Sequence, residues 1–120
     1  MNKIVFYFLL TGCFAQNFKG QGHTKMDSLA SLLKNKNLTL EKRAEVLYRL
    51  AKNYLHVNSL LCYTYADSAI ALAGQTDNKK IKAEAYSLQG VVHKNNGEFQ
   101  KAIEKHIQAL GIKEANKDTM

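Results

Sequence analysis

The side chains able to do chemistry in this sequence are few and widely spaced. Four histidines, His23, His56, His93 and His106, and two cysteines, Cys13 and Cys62, stand among 120 residues. No two histidines are four apart, and no cluster of Cys, His and carboxylates has the spacing of a zinc site. His93 and His106 are the pair that a helical hairpin could bring face to face, so a ligand or metal site using them is one chemistry to keep open. Lacking a third and fourth ligand, core packing with a satisfied ring nitrogen accounts for both more simply. Gly90 and Gly97 fall within and at the end of a helical pattern rather than after a strand, so neither belongs to a phosphate-cradling loop. No Ser, His and acid stand in the order or context that nucleophilic catalysis uses. No cofactor or metal is expected, and the chain is read as a non-enzyme.

The elements that would position these residues begin after a leader. Lys3 precedes the uncharged apolar run Ile4-Val5-Phe6-Tyr7-Phe8-Leu9-Leu10, which is short for a membrane span and has the build of a signal-peptide core. Cleavage after Ala15 is the expected exit, giving a signal peptide over 1–15. Leu10-Thr11-Gly12-Cys13 also has the form of a lipobox, in which Cys13 would be acylated and would anchor the protein to a membrane. Either exit places the protein in the periplasm or cell envelope, where disulfides form. The body keeps only Cys62, in helical register with Ala66 and Ala69 and read as a small buried side chain.

From there the apolar periodicity is helical throughout, predicting an all-α fold of about five helices after the signal peptide. Met26, Leu29, Leu32 and Leu33 predict a first helix from Lys25 to Lys36. Thr39 caps a second, with its stripe at Leu40, Ala44, Leu47, Ala51, Tyr54 and Leu55. A third runs from Leu60 to Gly74. A fourth starts at Asp77 or Asn78 and stops at Asn95-Asn96-Gly97, and Phe99 opens the fifth.

The pattern also recurs. Sliding the chain by 39 lays Ala44, Glu45, Leu47 and Ala51 over Ala83, Glu84, Tyr86 and Gly90, and sliding by 40 lays Cys62, Ala69 and Ile70 over Ala102, Ala109 and Leu110. In the second unit, Ala83-Glu84-Ala85-Tyr86, Gly90, Gly97-Glu98-Phe99, Ala102-Ile103-Glu104 and Ala109-Leu110 with Ile112 resemble the tetratricopeptide repeat. It departs from that pattern at Gln89, where the family usually has Leu, at His93 and His106, and in lacking a Pro after the second helix. The resemblance implies a helix-turn-helix repeat solenoid. Its packing positions would be Ala51, Ala69, Gly90, Ala102 and Ala109 at close approaches, Tyr86 and Phe99 filling gaps, and Gly97 in the turn.

The division that follows is a tail and cap helix over 16–38, a divergent repeat over 39–76, a second repeat over 77–116, and the opening of a further repeat at 117–120. On this reading the chain is the N-terminal part of a longer protein. In the tetratricopeptide family the first helices of successive pairs line a groove for an extended peptide or a partner's helix. Carried over, the lining is Glu45, Tyr48 and Lys52 from one helix and Glu84, Ser87 and Val91 from the next. The chain is basic, with 17 Lys+Arg against 10 Asp+Glu and a formal charge of +7, of which the leader supplies only Lys3. Lys79, Lys80 and Lys82 form the one dense cluster and read as a solvated face. Aromatic interleaving for nucleic acid is absent, so no nucleic-acid partner is expected. Membrane contact is expected only through a lipid anchor or a downstream segment. Leader, Asp27-Ser28-Leu29 helix and loosely spaced repeats together look like the exported N-terminal sensor regions of Bacteroidetes-like histidine kinases and helix-turn-helix regulators. The expected function is therefore a protein- or peptide-binding module at the sensory or scaffolding end of a signalling chain. A free-standing envelope lipoprotein scaffold anchored at Cys13 is the alternative.

Overall fold

The computed structural model describes residues 23–118; the expected signal peptide over 1–15 with Cys13, the start of the expected tail over 16–22, and the last two residues lie outside them. Five α-helices follow one another: α1 His23–Leu33, α2 Leu40–Tyr54, α3 Ser59–Thr76, α4 Lys79–Asn95 and α5 Phe99–Asp118. There is no strand among the described residues.

Polar side chains set most of the boundaries. Thr39, Asn58 and Asn78 each take the N-cap of α2, α3 and α4, accepting hydrogen bonds from the amides of Lys42 (3.2 Å), Leu61 (3.1 Å) and Ile81 (3.1 Å). Helix α1 ends at Leu33, three residues before the expected Lys36. The reason lies ten residues on, where the Arg43 guanidinium donates to the carbonyls of Leu33 (2.7 Å) and Asn35 (3.0 Å) and so satisfies the α1 terminus from α2. Helix α3 runs past Gly74, because a glycine with helical backbone and no close neighbour does not itself end a helix. Asp77 ends it, in the left-handed region at φ 56°, with the Asn78 amide reaching back to Ala73 (2.9 Å). Gly97 does the same after α4 at φ 80°, with Gly97 N–H on Lys94 (3.0 Å) and Glu98 N–H on His93 (2.8 Å). Helix α5 continues through residue 116 to Asp118.

The turns are short, so neighbouring helices run antiparallel, and side-chain pairs such as Tyr86 with Lys105 and His93 with Glu98 descend one helix as they climb the other. Each helix packs on the next in sequence, and α2 also reaches α4 past α3. The seam between them is built largely from alanine: Ala44, Ala51, Ala66, Ala69, Ala73 and Ala85 are all fully enclosed, with Cys62 among them. Small side chains let helix backbones approach closely. Leu47, Ile81, Leu88 and Val92 pack among these small residues, and Leu50 is completely buried in a second cluster with Leu29 and Val46.

Candidate functional site

The approach of α2 to α4 leaves a concavity of about 370 Å³ between them. Glu45, Tyr48, Arg49 and Lys52 form one wall, and Asn78, Lys80, Ile81 and Glu84 the other. Four of the six expected groove residues, Glu45, Tyr48, Lys52 and Glu84, are thus brought together. Ser87 and Val91 are half-buried but lie outside its walls, because the concavity draws only on the opening turns of α4.

Within it the charges are unevenly engaged. Arg49 pairs with Glu45 at 2.9 Å, one helical turn away, and both side chains are solvent-exposed enough for the pair to add little stability. Lys52 Nζ stands 5.7 Å over the Tyr48 ring. Burial, then the negative charge of Glu84 and a hydrogen bond to it, push the Tyr48 hydroxyl up to about 12. Tyr48 and Glu84 thus set a neutral phenol on one wall beside a carboxylate on the other. Together the walls offer aromatic surface, three cationic side chains, of which Arg49 is already paired with Glu45, and acceptors on both helices.

A second polar cluster joins α3, α4 and the turn into α5. His93 Nδ1 lies 3.0 Å from Glu98 Oε1, and its Nε2 lies 3.4 Å from the Tyr63 hydroxyl. The ring also meets Tyr63 edge to face at 5.2 Å. The turn itself makes this possible, since the Gly97 cap places Glu98 directly against the residue whose carbonyl it bonds. Hydrogen bonds from His93 and then Lys101 hold the Glu98 carboxyl below the usual carboxylate range. One turn before His93, Gln89 is fully buried, with Nε2 donating to Asp67 Oδ1 (3.1 Å) and the Tyr63 carbonyl (3.4 Å); its Oε1 has no partner. Lys105 completes the junction from α5, 5.3 Å from the Tyr86 ring and 5.8 Å from that of Tyr63. An open concavity of about 400 Å³, walled by Leu60, Tyr63, Val92 and His93, lies over the cluster.

The remaining sequence candidates fall as follows. Ala51, Ala69, Ala102 and Ala109 are buried, and Gly90 is buried too, where an added Cβ would stand 2.7 Å from the tip of the His106 ring. His106, not Phe99, covers Gly90. Phe99 was expected to fill a gap beside the close approach, yet it is 63% exposed. Its place is taken by the His93–Glu98 contact, which closes the turn with polar groups. Tyr86 is half-buried under Lys105. Cys62 is fully buried and its thiol is pushed up to about 11 by that burial. No group of three or more His, Cys, Asp or Glu suited to a metal occurs among the described residues, and no helix there is long and apolar enough to cross a membrane.

Gln89, Glu98, Asp67 and Arg43 were missed as structural residues. Gln89 left a signal, as a polar residue on an apolar position. The others left none, because their partners are 8 to 22 residues away or set by a turn. No family model matches the chain, and neither does any curated protein or solved structure.

Proposed function

We propose that this chain is a non-enzymatic, tetratricopeptide-like repeat module that binds an extended peptide or a partner's helix in the groove between α2 and α4. The observation that carries this reading is the concavity itself, where Glu45, Tyr48, Lys52 and Glu84, named from repeat register, share one set of walls. Supporting it are the contact of α2 with α4 across an intervening helix and the burial of corresponding small residues, Ala44 with Ala83 and Cys62 with Ala102. A groove with hydrogen-bond acceptors, lysines outside any ion pair and one aromatic face suits a polar peptide backbone better than a small apolar ligand. Together with the leader, the module would serve outside the cytoplasm as the sensory or scaffolding end of a longer signalling chain.

Selection of a displayed random peptide library on the folded chain tests the groove. Recovered peptides are expected to lose at least tenfold in affinity against Tyr48→Ala and against a Lys52→Glu, Glu84→Lys pair, and to keep it against His56→Ala. Peptides bound equally by all of these variants would remove the α2–α4 groove as the site.

A further inference from the structure

The positive charge of the folded chain is gathered at one end. Helices α2 and α4 begin there, and α1, α3 and α5 finish there. Contacts fix this arrangement: Arg43 of α2 bonds the carbonyls at the end of α1, and Gly74, Lys79, Lys82 and Ile112, from α3, α4 and α5, line one small concavity. Three segments, 32–43, 74–82 and 111–115, make up this end and hold eight Lys+Arg against three acidic residues. Everything else between residues 26 and 115 holds five against six. Arg43 is committed to capping α1, whereas the seven lysines of this end form no ion pair with a described residue. The ion pairs Arg49–Glu45, His93–Glu98 and Lys101–Glu98 all fall outside the three segments. Two large apolar side chains stand among the lysines at the α1–α2 turn, Leu32 at 45% and Leu40 at 47% exposed.

We propose that this end of the folded body docks on a bilayer surface carrying anionic phosphate headgroups, independently of any lipid anchor at Cys13. The unpaired cations are all lysines, hydrated point charges that suit a diffuse layer of headgroups. Shaped recognition of a single phosphate or carboxylate favours the planar fork of arginine instead. None of the three segments contains an aromatic residue, so the bases of a nucleic acid would find no stacking platform there. Exposed leucines flanked by lysines match an interface whose first layer is charged and whose next layer is apolar. On either exit expected for the leader the chain is delivered to a bilayer, so a lipid surface is the polyanion it meets first. The contact is mainly electrostatic and weakens as salt screens it. Lys79, Lys80 and Lys82, a solvated face when taken alone, become part of a docking surface once Lys34, Lys36, Lys42 and Lys113 are brought to the same end.

Flotation of the full chain with vesicles tests this, comparing phosphatidylcholine alone with phosphatidylcholine containing phosphatidylglycerol. Partitioning is expected to be at least about tenfold stronger on the anionic vesicles and to fall as salt is raised. Lys79→Glu combined with Lys113→Glu is expected to remove at least about tenfold of that binding, with an unchanged far-ultraviolet circular dichroism spectrum. Lys94→Glu combined with Lys101→Glu, an equal change of net charge outside the three segments, is expected to cost about twofold at most. Leu40→Ser should weaken binding severalfold. Equal partitioning on both kinds of vesicle, as the apolar leader alone would give, overturns the proposal. So does equal loss in the two charge variants, or a chain that takes up an oligonucleotide and ignores the anionic vesicles.

Discussion

Cys62 shows how far burial alone can silence a reactive group. The thiol lies fully enclosed among alanines, its pKa pushed up to about 11, so the thiolate is scarce and unreachable at neutral pH. An aromatic disulfide reagent is expected to label it far more slowly in the folded chain than in denaturant; equal rates would contradict the buried placement. Tyr48 is displaced in the same direction by a different mix of causes. The folded state holds its proton between the ordinary value of 10.0 and about 12, so its contribution to stability is complete below 10 and lost as pH rises through 12. Tyrosinate absorbance should show one late-titrating phenol, and Glu84→Gln should bring it earlier. The two constrained glycines separate backbone from packing effects. Gly97→Ala puts a Cβ at φ 80° with open space around it and is expected to cost about 1 kcal/mol in thermal or urea unfolding. Gly90→Ala meets only the tip of the exposed His106 ring, which can swing aside, while the gain in helix propensity offsets the crowding. Gly90→Leu and Ala109→Phe exceed that allowance and should each cost about 2 kcal/mol or more.

At the scale of elements, the turns do more than connect. The cap at Gly97 brings Glu98 against His93, so the end of α4, the start of α5 and Tyr63 of α3 are tied at one point. Because the folded Glu98 carboxyl lies below its unfolded value, its contribution is present at neutral pH and fades as pH falls through the folded value. The melting temperature should drop across the acid range, and Glu98→Gln should flatten part of that drop. The helices were legible from periodicity because each buries one stripe, and the N-cap at Thr39 could be read from residue type alone, whereas residue type left the start of α4 open between Asp77 and Asn78. The end of α1 could not, since it depends on Arg43 reaching back from another helix. Nor could Phe99 be told from a packing residue, because an aromatic at a turn reads the same whether a histidine and a glutamate have already filled the space beside it.

For the whole molecule, the candidate groove was legible only in outline. Register between two units nominates matching positions, and Glu45 and Glu84 do stand on facing walls. It does not fix how far one helix slides past the other, and that offset decides that Asn78 and Lys80 line the concavity while Ser87 and Val91 do not. The sliding is set by packing along the alanine seam, where Leu47, Ile81, Leu88 and Val92 interleave with the small residues. That seam has a further consequence, in volume. Closely apposed small side chains trap little empty space, and unfolding under pressure is driven by the elimination of such space. The chain should therefore lose only about 20 mL/mol on unfolding, at the small end for globular proteins. With no tryptophan and six tyrosines, tyrosine fluorescence in a pressure cell can follow it, and substituting Leu50 with alanine should open a void and make the transition visibly steeper.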